Sequence, residues 1–237
     1  MFNKKIKFIA SREEMLDVWP HPKPATHFIP DEYKKMPRLF KNSFHNPTVK
    51  TCMPFLDSLT AGYIIPFDQD YVIESMSAIQ EDTKKPILRY KISPANHDYS
   101  DVGSHEANQL PSSWRKHYGD MAGKFHNKWL IKTPPGYSCL FVKPMNRIEL
   151  RFDIIPGIVE TDTYISLINF PFVIREKGQF IIKKGDPMIQ VIPFKRESWK
   201  MWCGFYYEKL HTKTLNLLNS EYLDRYKKMF WKKKSFK

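Results

Sequence analysis

Six short apolar runs, at 128–133, 138–143, 148–154, 163–168, 180–183 and 188–194, dominate the stretch from 125 to 196 and constrain the fold most. Each is too short for a stable helix and has the length of a strand. Pro134-Pro135-Gly136, Pro156-Gly157, Lys177-Gly178 and Gly185-Asp186-Pro187 punctuate them. Such residues pre-set φ or tolerate a positive φ, so the chain reverses there. Strands repeating at this spacing predict a mainly β domain (α+β overall), built as a sandwich or a barrel.

The flanks read differently. Pro20, Pro22, Pro24, Pro30, Pro37 and Pro47 interrupt any long helix in residues 1–50. That segment is expected to be an extended Pro-rich arm laid over a core and wrapping a neighbouring subunit. It holds a short capped helix from Ser11 to Val18 and another from Pro30 to Lys35. A short helix from Cys52 to Leu59 precedes strands at 63–66, 71–74 and 87–92. Residues 93–124 are polar and read as a surface excursion, with one helical turn near Ser112 to His117. Leu210, Leu215, Leu218, Tyr222 and Tyr226 recur at roughly helical spacing, which predicts a helix over 207–231 covering an edge of the sheets. The organisation is therefore arm 1–50, β-rich core 51–206 and C-terminal basic amphipathic helix 207–237, one domain overall.

With 42% hydrophobic residues the 237-residue chain can bury a real core, which excludes wholesale disorder. No apolar run is long enough to span a bilayer. Cys52, Cys139 and Cys203 lie far apart, which argues against a disulfide framework or a cysteine zinc site and fits a cytoplasmic location. Cys139 and Cys203 are expected in the core. So is the cluster Trp199, Trp202, Phe205, Tyr206 and Tyr207, unless it makes an oligomer contact. The net charge of +13 is lopsided: residues 195–237 hold twelve Lys or Arg against four acids, or +8. Lys227, Lys228, Lys232, Lys233 and Lys234 alternate with aromatics there. Basic side chains bind polyanions by counterion release and aromatic faces stack on bases, so this tail is the candidate polyanion-binding element.

One set of pieces carries a resemblance. Thr133-Pro-Pro-Gly-Tyr137 is followed by Pro144-Met-Asn-Arg147, Gly157-Ile-Val-Glu-Thr-Asp-Thr-Tyr164, Leu167-Ile-Asn169 and Lys184-Gly-Asp-Pro-Met-Ile-Gln190. Their order resembles the β-clip of trimeric dUTPases and dCTP deaminases across 133–194. The resemblance implies a β-clip or jelly-roll-like barrel, a homo-oligomer of trimer type and a nucleotide partner. It also implies phosphate contacts from Lys143, Arg147 and Gln190, and Glu160 or Asp162 as the catalytic carboxylate; independently of the resemblance, the basic pair Arg147 and Arg151 is expected to clamp a phosphate through its guanidinium forks. Mg²⁺ is implied only alongside a nucleotide; no other cofactor is expected. The family's serine and glycine in the phosphate motif are missing here, as is its glycine-rich C-terminal arm. The likeness is thus to a degenerate member, for which binding is expected rather than catalysis. The whole chain also resembles an uncharacterised family of phages and marine bacteria, through 24–30, 48–54 and 62–65, which implies a host-cytoplasm or virion location.

Three functions follow as expectations. The first is a non-catalytic phage-type accessory or structural protein whose basic surface binds nucleic acid or another polyanion. The second is a nucleotide-binding or nucleotide-hydrolysing dUTPase-like protein. The third is a metal-dependent oxygenase on a cupin-like barrel, drawing on His97, His105, His117 and His126. These histidines lack the usual ligand spacing, so no metal site is assigned.

Overall fold

The computed structural model describes residues 4–10, 12–43, 45–79, 86–94, 102–105, 109–114, 122–220 and 223–237. Among them the fold is mainly β, with fourteen strands in four sheets and only antiparallel pairing between strands. The largest sheet has the order β11 (Gly157–Val159), β9 (Tyr137–Val142), β14 (Pro187–Lys195), β3 (Tyr63–Pro66), β2 (Lys23–Pro24). A second runs β10 (Phe152–Ile154), β12 (Phe170–Ile174), β7 (Ala122–Phe125), β6 (Val102–His105). A third runs β13 (Gly178–Ile182), β4 (Tyr71–Ile79), β5 (Pro86–Pro94), and β1 (Lys7–Ala10) pairs with β8 (Trp129–Lys132). The chain crosses from the second sheet to the first at Ile155-Pro156, between β10 and β11.

A single core joins the sheets. Phe67, Phe125, Phe152, Phe172 and Tyr71 interlock in mostly edge-to-face pairs, while Phe125 and Phe172 stack at 3.9 Å. Edge-to-face contacts align the positive ring edge with a negative face. Gly123 is required beneath this stack, because a Cβ there would sit 2.2 Å from the Phe172 ring. Gly62 (φ +67°) is required too, with Val191 O 2.0 Å from a would-be Cβ. β14, central in its sheet, is buried continuously from Met188 to Val191, as expected of a strand covered on both faces.

The helices are short. α1 (Asp31–Lys35) starts after Pro30, and α2 (Met53–Thr60) closely matches its expected span. The N-terminal arm lies on its own body: β1 and β2 join sheets, and Ala25 and Tyr33 are buried. Glu13–Leu16 is a single 3₁₀ turn rather than an α-helix, and the Ser11 cap lies outside the described residues.

Several expectations are corrected. The sheets form no closed barrel among the described residues. Residues 163–168 form no strand, because the N–H groups of Thr163 and Tyr164 fold back onto Glu160 O in a tight turn. The strand in that region is β12, which begins at Phe170. Of 148–154 only Phe152–Ile154 is strand, since Arg151 is tied to Glu149 in a local loop. The polar stretch 93–124 contributes β6 and the buried strand β7. The C-terminal helix is two helices, α3 (Glu208–Asn219) and α4 (Arg225–Met229), with Asp224 between them in a left-handed conformation (φ 58°). Neither helix has a buried residue. Trp199, Trp202, Phe205, Tyr206 and Tyr207 are exposed rather than in the core, and so is Cys203.

Candidate functional site

A cavity of about 720 Å³ opens between α1, the start of α2, the loop 143–151 and the start of β14. Its walls are largely apolar: Tyr33 and Met36 from the arm, Phe55 from α2, Phe67, Phe152, and Met188 from β14. Tyr33 and Phe55 stack at 5.6 Å to form one wall. Lys50 holds that wall in place. Its ammonium donates to the carbonyls of Tyr33 (2.7 Å) and Lys34 (2.8 Å) and lies over the Tyr33 ring. A cation at a helix C-terminus satisfies carbonyls that the helix itself leaves free.

The loop 143–151 supplies the polar side. Gln190 fixes its entry from below. The fully buried Gln190 accepts from Met145 N–H (2.8 Å) and donates to the carbonyls of Ser58 (2.9 Å) and Ala61 (2.7 Å). Asn146 takes a left-handed conformation (φ 55°) and donates to Ser58 Oγ (2.5 Å), which pins the turn to α2. Asparagine tolerates this conformation better than most residues.

The next residue, Arg147, lines the cavity. Its Nη2 is buried and has no hydrogen-bond partner among the described residues. Burial pulls the guanidinium down from its ordinary value to about 10, so it stays charged at neutral pH. The neighbouring cations are already engaged. Lys143 pairs with Asp153 (2.7 Å), which also takes Arg175. Arg151 grips Glu149 through Nε (2.8 Å) and Nη2 (2.6 Å), donates to Ile181 O, and is raised by its bond to Glu149. Three carboxylates line the cavity: Glu32, Glu149 and Asp186. Glu149 is held by Arg151, and Asp186 accepts from Lys183 N–H.

Of the four residues expected on phosphate, the structure thus brings Lys143, Arg147 and Arg151 to one cavity, while Gln190 acts beneath it as a buried brace. The expected catalytic carboxylates are elsewhere. Asp162 sits at the start of β9, whereas Lys143 follows its end, and a six-residue strand spans about 20 Å. Asp162 accepts a two-pronged contact from Arg196 (2.8 and 2.5 Å) and one from Gly136 N–H (2.7 Å). Its carboxylate is shielded from solvent, and Arg196 holds its pKa far below the usual carboxylate range. Glu160 is exposed on the same turn. The contacts at this corner tie the start of β9, the 160–164 turn and Arg196 together.

The basic tail is docked rather than frayed. Trp231 Nε1 donates to both Asp57 oxygens at 3.0 Å, and Lys234 pairs with the same carboxylate at 2.5 Å. Phe236 meets Tyr63 edge-on, and the Tyr63 hydroxyl donates to Lys237 O. Asp224 pairs with Arg38. Lys227, Lys232 and Lys233 project into solvent, as does Lys228. His105 Nδ1 donates to Gln109 Oε1 (2.7 Å), and His97 and His117 lie outside the described residues. Among the described residues no group of three or more His, Cys, Asp or Glu could hold a metal. Cys139 is buried, and burial pushes its thiol up to about 11, as suits a core residue. No helix among the described residues is long and apolar enough to cross a membrane.

Comparison with known proteins finds no match, either to a protein-family model or to a curated protein. The apolar wall of the cavity had no signature in the sequence. Tyr33, Met36 and Phe55 are scattered across the Pro-rich arm and α2, and only tertiary packing gathers them.

Proposed function

We propose that the protein is a binding protein for a small phosphate ester with an apolar or aromatic body, of which a nucleotide is the nearest chemistry. The observation that carries this reading is Arg147 Nη2, a charged donor buried at the wall of a largely apolar cavity with no hydrogen-bond partner among the described residues. Burying an unpaired charge is unfavourable, so a fold that keeps one at a cavity is prepared for an anion that completes it. Guanidinium suits phosphate because its planar fork donates two parallel hydrogen bonds. The volume falls in the range of small-molecule sites, and the stacked Tyr33 and Phe55 offer a face for a base. The dUTPase-like order of the strand motifs supports the same reading, with Arg147 in the phosphate role. Mg²⁺ would enter with the nucleotide as its counterion. A thermal-shift screen of nucleoside mono-, di- and triphosphates tests the reading. A ligand at 100 times its dissociation constant adds about 2.7 kcal/mol, a clear rise in melting temperature. If none of them, with or without Mg²⁺, moves the transition, the reading fails.

A second reading rests on the docked tail. Lys227, Lys232 and Lys233 have no ion-pair partner among the described residues, and the anchor at Asp57 fixes the segment that bears them. This supports an accessory protein that binds nucleic acid without sequence preference. Filter binding at two salt concentrations tests it: affinity falls steeply with salt if lysines neutralise phosphates, and absence of binding at low salt removes the idea.

A further inference from the structure

β14 ends at Lys195, and Arg196 closes that corner through Asp162 and the carbonyls of Gly136 and Tyr137. Beyond it, residues 197–207 form neither helix nor strand, and no backbone hydrogen bond holds 197–206 among the described residues. This segment carries a run of large apolar side chains left exposed among the described residues. Trp199 is 86% exposed, Trp202 81% and Phe205 fully so, with Met201, Tyr206 and Tyr207 close behind. From 198 to 207 the only charge is Lys200. The chain then returns through α3 to the Arg38–Asp224 ion pair. The arm is therefore tied at its root, and its aromatics are left uncovered by the described residues.

Its area is that of an interface. An aromatic side chain buries about 150–250 Å², so the five aromatics at these exposures offer roughly 800 Å², about one partner's share of a stable protein contact. The same corner carries a second uncovered surface. Among the described residues β11 is an edge strand paired only to β9, with Ile158 59% exposed and open space beside Gly157. Tyr164 and Ile165 follow it, half exposed. Arm root and open edge meet at the Arg196–Asp162 clasp, yet the arm does not cover its own edge.

We propose that residues 197–207 are an exchanged arm: in a two-fold dimer of this chain, the arm of each copy covers the Ile158 edge of the other. A two-fold axis uses the same two surfaces twice, so one arm and one edge per copy satisfy both molecules. The doubled contact reaches the standard interface size of about 1,600 Å². The arm's aromatics give a second chain large, rigid anchors, the usual hot-spot chemistry.

Sedimentation equilibrium on the full chain tests this. The expected mass is twice 28.2 kDa, reverting to the single-chain value on dilution. The triple change W199S/W202S/F205S, and separately Ile158→Lys, should each weaken the dimer at least about 30-fold, the loss of one hot spot. Both alter exposed positions, so the far-UV circular dichroism should stay native. A wild-type protein monomeric at about 100 µM, far above the dissociation constants of interfaces this size, overturns the proposal. So does a dimer that survives either change. Flotation of a monomeric chain with phosphatidylcholine–phosphatidylserine vesicles through the same aromatics also overturns it, by giving the arm to a membrane surface.

Discussion

Arg147 carries a buried charged donor, Nη2, that no described residue satisfies. Its lowered pKa means that the folded state disfavours the charged form throughout the neutral range. The sign is that of a depressed base: between about 10 and the unfolded value the unfolded chain binds more protons, so this group's contribution improves as pH rises through that window. At pH 7 the penalty is complete. Solvent reaches part of the side chain, and screening reduces the cost to about 1 kcal/mol. Arg147→Met keeps the stem and removes the charge, so the ligand-free protein should melt about 2–4 °C higher while losing anion binding. A variant that melts lower would assign Arg147 a structural role instead. Asp162 has the opposite sign. Its depressed carboxyl contributes stability that is complete above about pH 4 and lost as pH falls toward the folded value. Asp162→Asn should flatten the acid limb of the stability profile, read by urea denaturation between about pH 4 and 2. The sequence made both residues visible as candidates. It hid Arg196, the residue that decides the role of Asp162, because their pairing spans 34 positions.

At the scale of elements, the loop 143–151 works only because β14 and α2 hold it. Gln190 lies in an otherwise apolar run, Met188-Ile189-Gln190-Val191, a pattern that marks a buried polar group needing partners. Gln190→Leu leaves Met145 N–H and the carbonyls of Ser58 and Ala61 without this partner, which should cost about 3 kcal/mol. It should also weaken ligand binding with Arg147 intact; unchanged binding in a folded variant would detach the brace from the site. Strand existence was legible where apolar runs lay between turn residues, as at 137–142 and 187–195. It was not legible at 170–174, where Pro171 argues against a strand. There Pro171 O accepts from Ile155 N–H, and Phe170 and Phe172 bury themselves in the core. The expected strand at 163–168 failed for the converse reason: its apolar residues are real, but the Glu160 turn leaves Tyr164 and Ile165 in solvent.

For the whole molecule, the mainly β class followed from local pattern, and the sheet order did not. β9 meets β14 and β7 meets β12 across about 50 residues each, a long-range matching that periodicity does not encode. The aromatic segment 197–207 shows the same limit from the other side. Its composition reads as core, yet the chain has already closed its core before reaching it. The cavity is likewise a product of the whole fold, with one wall from the N-terminal arm and another from β14.

The most direct test of the account is isothermal titration of the strongest nucleotide from the thermal screen into wild-type protein and the Arg147→Met variant. Loss of a charged hydrogen-bonding partner is worth about 2–3 kcal/mol, so the variant should bind at least about 30-fold more weakly. Equal affinity for the two proteins would contradict the claim that Arg147 is the anion contact of this cavity.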